Sequence, residues 1–286
     1  MLDFLVARFP QQGREVWLAR MASGEVVDEH AQPVTAHRAY QPQLRLYYYR
    51  SVPGEPRIPF EETVLYQDAH LVVVDKPHFL PVVPSGAYLQ ETVLVRLKRR
   101  LGLATLVPLH RIDRDTAGLV LFSVQPQSRG AYHALFREHR IHKLYEAIAP
   151  WRTGLEFPLT RVSRIATAAH FMQQTEVPGE PNACTRVTLL EHAGPLARYE
   201  LQPVTGHRHQ LRVHMNALGL PILGDGIYPV LTPEGSTDYA RPLQLLARSV
   251  TFTDPVSGQL RHFESARRLD LAQAQLNARG PGRSPA

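Results

Sequence analysis

The chain has 286 residues, 44% of them hydrophobic and 20% charged, with a formal net charge of +6. This composition suits a globular protein and excludes collagen-like or low-complexity classes, while the modest basic excess is compatible with a polyanionic partner. A single cysteine, Cys184, excludes an intrachain disulfide framework and fits a reducing, cytoplasmic setting.

Met1 to Pro10 is a short apolar run broken by Asp3 and Arg8, without the basic start, long apolar centre and small-residue cleavage site of a signal peptide. No later stretch approaches the length of a membrane span, so no membrane partner is expected. Residues 1–50 read as a small module, with short helices over Leu2 to Phe9 and Arg14 to Met21 and strands over Gly24 to Val27 and Leu44 to Tyr49. Residues 51–60 contain closely spaced prolines and read as a stiff, extended linker. A main domain is expected over residues 61–265 and a partly disordered tail over residues 266–286, with disorder from Ala278, where Gly, Pro and Arg accumulate.

Within the main domain, His70 to Val74 is β-branched and apolar, which predicts a buried strand. Val93, Leu94, Leu97 and Leu101 form a helical stripe over Thr92 to Leu101, stopped by Gly102. Thr116 to Val124 is a second apolar strand. Ser128 is placed to cap a helix running to Ile141, with Tyr132, Leu135 and Phe136 facing inward. Leu144 to Ile148, Thr185 to Leu190, Arg198 to Leu201 and Leu245 to Thr253 read as further strands, the last turned by Asp254 to Gly258. Helices and strands mix without a regular βαβ rhythm. That predicts an α+β fold with a mixed, mostly antiparallel sheet and flanking helices.

Three segments carry chemistry. In His110-Arg-Ile-Asp-Arg-Asp-Thr-Ala-Gly-Leu-Val-Leu121 a charged cluster runs straight into a buried strand, which holds polar groups still. Taken alone, Asp113 reads as a turn or cap aspartate, and Asp113 with Asp115 as a metal pair. In Thr205-Gly-His-Arg-His-Gln-Leu-Arg-Val-His-Met-Asn-Ala-Leu-Gly219, helical spacing groups Leu211, His214, Met215 and Leu218 on one face and Arg208, His209 and Arg212 on another. His214 then reads as a satisfied core histidine, and the basic face as either a solvated patch or a seat for a carboxylate or phosphates. Lys143-Leu-Tyr145 opens a strand, and by itself Tyr145 reads as a packing residue with a bonded hydroxyl.

Together these segments resemble the RluA family of RNA pseudouridine synthases, over roughly Ile58 to Arg261 and in the family's order. The first box is similar to H-R-L-D-x-x-T-S-G-L, Lys143-Leu-Tyr145 to K-x-Y, and His209-Gln-Leu-Arg-Val-His214 to H-Q-I-R-V-H. Pro221-Ile-Leu-Gly-Asp225 with Tyr228 is similar to P-I-x-G-D-x-x-Y, and Val72-Val-Val-Asp-Lys-Pro77 to V-x-N/D-K-P. Three departures stand out: Gly206-His207-Arg208 where G-R-T is usual, Ala117 for a serine, and Leu245-Leu246-Ala247 for L-H-A.

The resemblance implies a mostly antiparallel sheet with a central cleft, catalytic roles for Asp113, Tyr145 and Arg212, and RNA contacts at His110, Arg111, Lys76, Arg208 and His209. Arg212 is the implied partner of the Asp113 carboxylate. The reaction exchanges the C1′–N1 bond for a C1′–C5 bond with no net redox change, so neither a cofactor nor a metal is expected. Residues 1–50 are faintly similar to the S4-type RNA-binding module, which favours ribosomal over transfer RNA as the substrate; a monomer is expected. Two other classes stay open on the residues: a metal-dependent hydrolase using Asp113, Asp115, His207, His209 and His214, and a non-catalytic RNA-binding protein.

Overall fold

The computed structural model describes all residues except 11, 49–53, 234–237 and 280–286. The chain divides into two compact units, Met1–Gly54 and Glu55–Ala286. In the small unit, helices α1 (Leu2–Arg8) and α2 (Arg14–Ala22) precede an antiparallel pair, β1 (Val26–Asp28) and β2 (Leu46–Tyr48). Its core gathers Leu2, Leu5, Trp17, Met21, Val26 and Val34.

The large unit runs β3 (Thr63–Gln67), β4 (Leu71–Lys76), α3 (Val93–Leu101), β5 (Val107–Pro108), β6 (Ala117–Ser123), α4 (Pro126–Arg137) and β7 (Ile141–Pro150). It continues through β8 (Leu159–Thr167), β9 (Gln174–Val177), β10 (Ala183–Ala193), β11 (Leu196–Pro203), α5 (Gln210–Ala217), β12 (Leu245–Thr253), β13 (Leu260–Glu264) and α6 (Leu271–Arg279). One sheet takes the order β3-β4-β6-β12-β7-β11-β10-β8-β9, with β13 beside β12 and β5 beside β6. Among the described residues β6 and β12 pair in parallel and the other neighbours are antiparallel, so the sheet is mixed and mostly antiparallel, as the sequence pattern implied.

Strands β4 and β6 are buried throughout because both faces of the sheet are covered there. Val72, Val74, Val120 and Phe122 pack against Val93 and Leu97 of α3. The alternate residues Leu71, Val73, Leu119 and Leu121 pack against Tyr132 and Leu135 of α4. Helix α3 begins where Thr92 accepts the Val95 N–H on its hydroxyl and ends at Gly102 in the left-handed region, φ 67°.

Several local expectations are corrected. Helix α4 starts at Pro126, so Ser128 lies inside its first turn, where its hydroxyl donates to the Gln125 carbonyl. The same helix stops at Arg137 rather than Ile141, because His139 turns the chain with φ 53° and Ile141 opens β7. The linker is anchored in its described part: Ile58 is buried and donates its N–H to Glu91, while Glu55 accepts the N–H groups of Leu89, Gln90 and Glu91. Residues 51–53 of that linker lie outside the described residues. The tail expected to be disordered from Ala278 instead forms α6 up to Arg279, with Leu271 and Ala274 buried against Ile148, Leu196 and Leu246. The remainder of that expectation, residues 280–286, lies outside the described residues.

Candidate active site

Register places the key strands before any side chain is considered. Ala247 on β12 pairs with Gly118 on β6 and with Tyr145 on β7. Gly118, at the start of β6 just after the loop that carries Asp113, therefore lies about 10 Å, two strand spacings, from Tyr145 across one intervening strand. Gly118, at φ 106°, makes this possible: a Cβ there would stand 2.3 Å from the Ala247 carbonyl oxygen. A cavity of about 840 Å³ opens over this point, lined by residues 110–114, by Lys143 and Tyr145, and by residues 205–212.

The Asp113 loop is clamped through its carbonyls. The Thr116 N–H donates to Asp113 O at 3.2 Å, the Lys76 ammonium to Arg114 O at 2.8 Å, and His78 Nδ1–H to Asp115 O at 2.7 Å. Lys76 is fully buried, and burial lowers its pKa to about 7 despite the nearby Asp115 and Asp113 carboxylates. The expectation that Lys76 contacts RNA is therefore wrong: strand β4 ends inside the core, and its lysine braces the loop from behind.

Arg212, 1% exposed, joins two carboxylates. Its Nη1 donates to Asp113 Oδ2 at 2.9 Å; its Nε and Nη2 donate to Asp225 Oδ2 at 2.8 Å and Oδ1 at 2.6 Å. The fork is thus held by Asp225, whose side chain is fully buried, and one arm is left for Asp113. Burial pushes the Asp113 carboxyl up, but Arg212 and then His209 outweigh it, so its pKa sits below the ordinary carboxylate value. The Asp113 side chain keeps 27% of its surface exposed to the cavity side, so this ionised group remains reachable.

His209 is not on a helix face with Arg208 and Arg212, as spacing suggested; it takes φ 55° just before α5 and is buried. Its Nε2 faces Asp113 Oδ1 at 3.7 Å, and its Nδ1 lies 3.1 Å from the Tyr228 hydroxyl. The Gln174 N–H donates to that hydroxyl at 2.7 Å. The Tyr228 proton then has His209 Nδ1 as its acceptor, which leaves the neutral imidazole protonated at Nε2, toward Asp113. At 3.7 Å His209 lies beyond hydrogen-bond distance of Asp113, so it acts on that carboxylate through its charge distribution, while Arg212 supplies the direct donor.

The other expected residues divide. Tyr145 lines the cavity, and burial, followed by the Asp113 charge, pushes its phenol pKa up, so it is protonated at neutral pH. His110 accepts the Leu121 N–H on Nε2 at 3.2 Å and stacks on Phe136; burial, then Lys143, lowers its pKa to about 3, so it is a neutral brace rather than a cation for RNA. Arg111 is exposed on the cavity wall. Arg208 is exposed but committed, donating to Phe171 O at 2.9 Å and Met172 O at 3.2 Å. His214 is the satisfied core histidine expected, bonded to Ser163 and Thr185 hydroxyls. His207 meets the Asn182 carbonyl at 2.7 Å, and no cluster of three or more His, Cys, Asp or Glu side chains suited to a metal occurs among the described residues.

Sequence reasoning missed the parts played by His78, Asp225, Tyr228 and Lys143. For Asp225 and Tyr228 the signal was present in the Pro221 to Tyr228 box, which marked the positions without a role.

The model of the RNA pseudouridylate synthase family matches residues 70–217. An uncharacterized RNA pseudouridine synthase of Synechocystis is 32% identical over 231 residues, 80% of this chain and 79% of that protein. The dual-specificity RNA pseudouridine synthase RluA of Haemophilus ducreyi is also 32% identical, over 73% of this chain and 95% of that one. The chain belongs to the RluA family of RNA pseudouridine synthases. The synthase is thus an isomerase that acts on RNA. The solved structure of human RNA pseudouridylate synthase domain containing 1 has the same fold, with a TM-score of 0.61 at 22% identity over 74% of this chain and 86% of that one. No helix among the described residues of the synthase is long and apolar enough to cross a membrane.

Proposed function

We propose that Asp113 is the catalytic carboxylate of this synthase and that the uridines it isomerises lie in ribosomal RNA. The observation that carries the first part is the Asp113 carboxylate, kept ionised by Arg212 at 2.9 Å and still reachable from a large cavity. In that position it serves either as a nucleophile at C1′ of the target ribose or as a base at C2′. Either route begins from the charged form, which the buried guanidinium favours. After the C1′–N1 bond breaks, the uracil turns and C5 bonds to C1′; the C5 proton then leaves.

Tyr145 stands beside the base in this reading. Its raised pKa suits a hydroxyl that stacks and hydrogen-bonds rather than one that begins as a phenolate. The target uridine must leave its stack, which costs a few kcal/mol. Arg111, exposed on the cavity wall, fills the vacated space or meets a phosphate. Lys143 supplies a second cation: it has no hydrogen-bond or ion-pair partner among the described residues and lies two residues from Tyr145 on the same face of β7. That offset of about 7 Å suits a phosphate flanking the bound nucleotide.

The preference for ribosomal RNA rests on the helix–helix–strand order of residues 1–48, which is similar to an S4-type module. A monomer working in the cytoplasm completes the reading. Asp113→Asn is expected to lose turnover by about 100-fold or more in a tritium-release assay while binding RNA as the parent protein does. Full turnover in that variant refutes the assignment. Pseudouridine mapping of total RNA with and without the gene tests the target: a site lost from transfer RNA alone refutes the ribosomal preference.

A further inference from the structure

The β8–β9 loop, residues 168–173, has an aromatic tip that the reaction at Asp113 does not use. Phe171 is 67% exposed, the largest exposure of any aromatic side chain among the exposed large hydrophobic residues described. Its ring stacks on His170, centroids 5.1 Å apart and planes 29° from parallel. Exposure alone is ordinary for a single surface phenylalanine; what sets Phe171 apart is that it is displayed stacked on His170, on a loop bonded to a cavity-lining arginine.

The loop is braced as a rigid support. The Ala168 N–H donates to Gln173 O, the Gln173 N–H to His170 O and the Met172 N–H to His170 Nδ1. The Gln173 side chain donates to Ile227 O at 2.9 Å, and the Gln174 N–H to the Tyr228 hydroxyl, which ties the loop's end to the residues around Asp113. Arg208 completes the support. It lines the cavity and donates both guanidinium ends to the carbonyls of Phe171 and Met172, so the aromatic tip stands one side chain from the cavity. This is a physical use for the departure from G-R-T in this chain: Arg208 is spent on holding the loop rather than on holding RNA directly.

We infer that the His170–Phe171 pair is a stacking platform for an unpaired RNA base next to the target uridine. The occupant is an RNA base rather than a protein side chain because Arg208 joins the platform to a cavity already assigned to RNA, and the cationic residues Arg111, Lys143 and Arg208 line that cavity. A nucleotide drawn out for reaction leaves neighbours unstacked, and a flat exposed ring restores their stacking without reading their identity. The inference rests on RNA binding at this cavity and not on the role given to Asp113.

The test measures binding in the Asp113→Asn background, so that it stands apart from catalysis. The probe is a hairpin RNA with a uridine-rich loop, together with the same hairpin carrying abasic sites on either side of one loop uridine. Phe171→Ala is expected to weaken binding to the intact hairpin by about 5- to 150-fold. Phe171→Tyr is expected to restore it. The abasic hairpin is expected to bind equally to the protein that keeps Phe171 and to the Phe171→Ala variant. The melting temperature should not move, because the side chain is exposed. Unchanged affinity of the Phe171→Ala protein for the intact hairpin, or an equal loss on the abasic one, overturns the proposal.

Discussion

Replacing Arg212 by methionine removes the cation that two carboxylates share. Asp225, with no exposed side-chain surface, loses two hydrogen bonds and keeps only the Ile227 and Tyr228 N–H groups. Asp113 loses its Nη1 donor and keeps only the weaker electrostatic influence of His209 and Lys76. Breaking a buried ion pair from one side costs about 3–5 kcal/mol. For a domain the size of the large unit, about 2–4 °C per kcal/mol gives a melting temperature roughly 6–20 °C lower. The pH dependence follows from Asp113. In the parent protein its depressed pKa contributes stability that is present above the unfolded value and lost as pH falls through the folded one. Without Arg212 burial is left to dominate and raises the Asp113 pKa, so the variant regains stability as pH falls from neutrality to about 5. The gap between the two proteins should therefore narrow on acidification in thermal melts. A gap of constant width across that range would mean that the charge left behind is not the source of the instability, and a variant as stable as the parent at neutral pH would refute the shared-fork reading altogether.

Three further outcomes are expected. Lys143→Gln should weaken RNA binding and make the slope of log affinity against log salt shallower by about 0.7, the loss of one single-strand phosphate contact, measured by titration at several salt concentrations. His209→Gln, whose longer amide still reaches the Tyr228 hydroxyl, should keep most turnover in the tritium-release assay, whereas His209→Asn should lose about tenfold with little change in KM, the loss expected for the one hydrogen bond to Tyr228 that holds a polar group facing Asp113. Gly118→Ala should destabilise by about 3 kcal/mol or more in denaturant unfolding, since it combines backbone strain with a collision against the Ala247 backbone. Gly102→Ala, at a similar positive φ but with open space around it, should cost only about 1 kcal/mol.

Much of the architecture was legible in the residues because it depends on short-range physics. The unbroken apolar runs of β4 and β6 announced strands covered on both faces, and Thr92 with Gly102 marked the ends of α3 through local hydrogen bonding and a left-handed turn. Strands β8, β9 and β13 escaped notice: they are half exposed, their burial alternates mostly between exposed and intermediate positions, and polar residues such as Arg161 and Ser163 take the more covered positions, so the residue types do not alternate with the burial. The family boxes located Asp113, Tyr145 and Arg212, while helical spacing mistook His209 and Arg208 for companions of Arg212 on one surface, because a left-handed residue before α5 breaks the periodicity that such counting assumes.

The order of residues along the chain was thus enough to specify the class of fold, the reaction family and the neighbourhood of the Asp113 carboxylate, since each is written in local patterns. Burial and partner choice were not, because they arise between segments far apart in sequence. Lys76 became a brace rather than an RNA contact because β4 ends inside the core, and Arg212 became a bridge because Asp225 and Asp113 approach it from opposite sides. A charged side chain has the same composition on a surface and in a core; the cost of desolvating it, and the groups that offset that cost, exist only once the chain has closed around it.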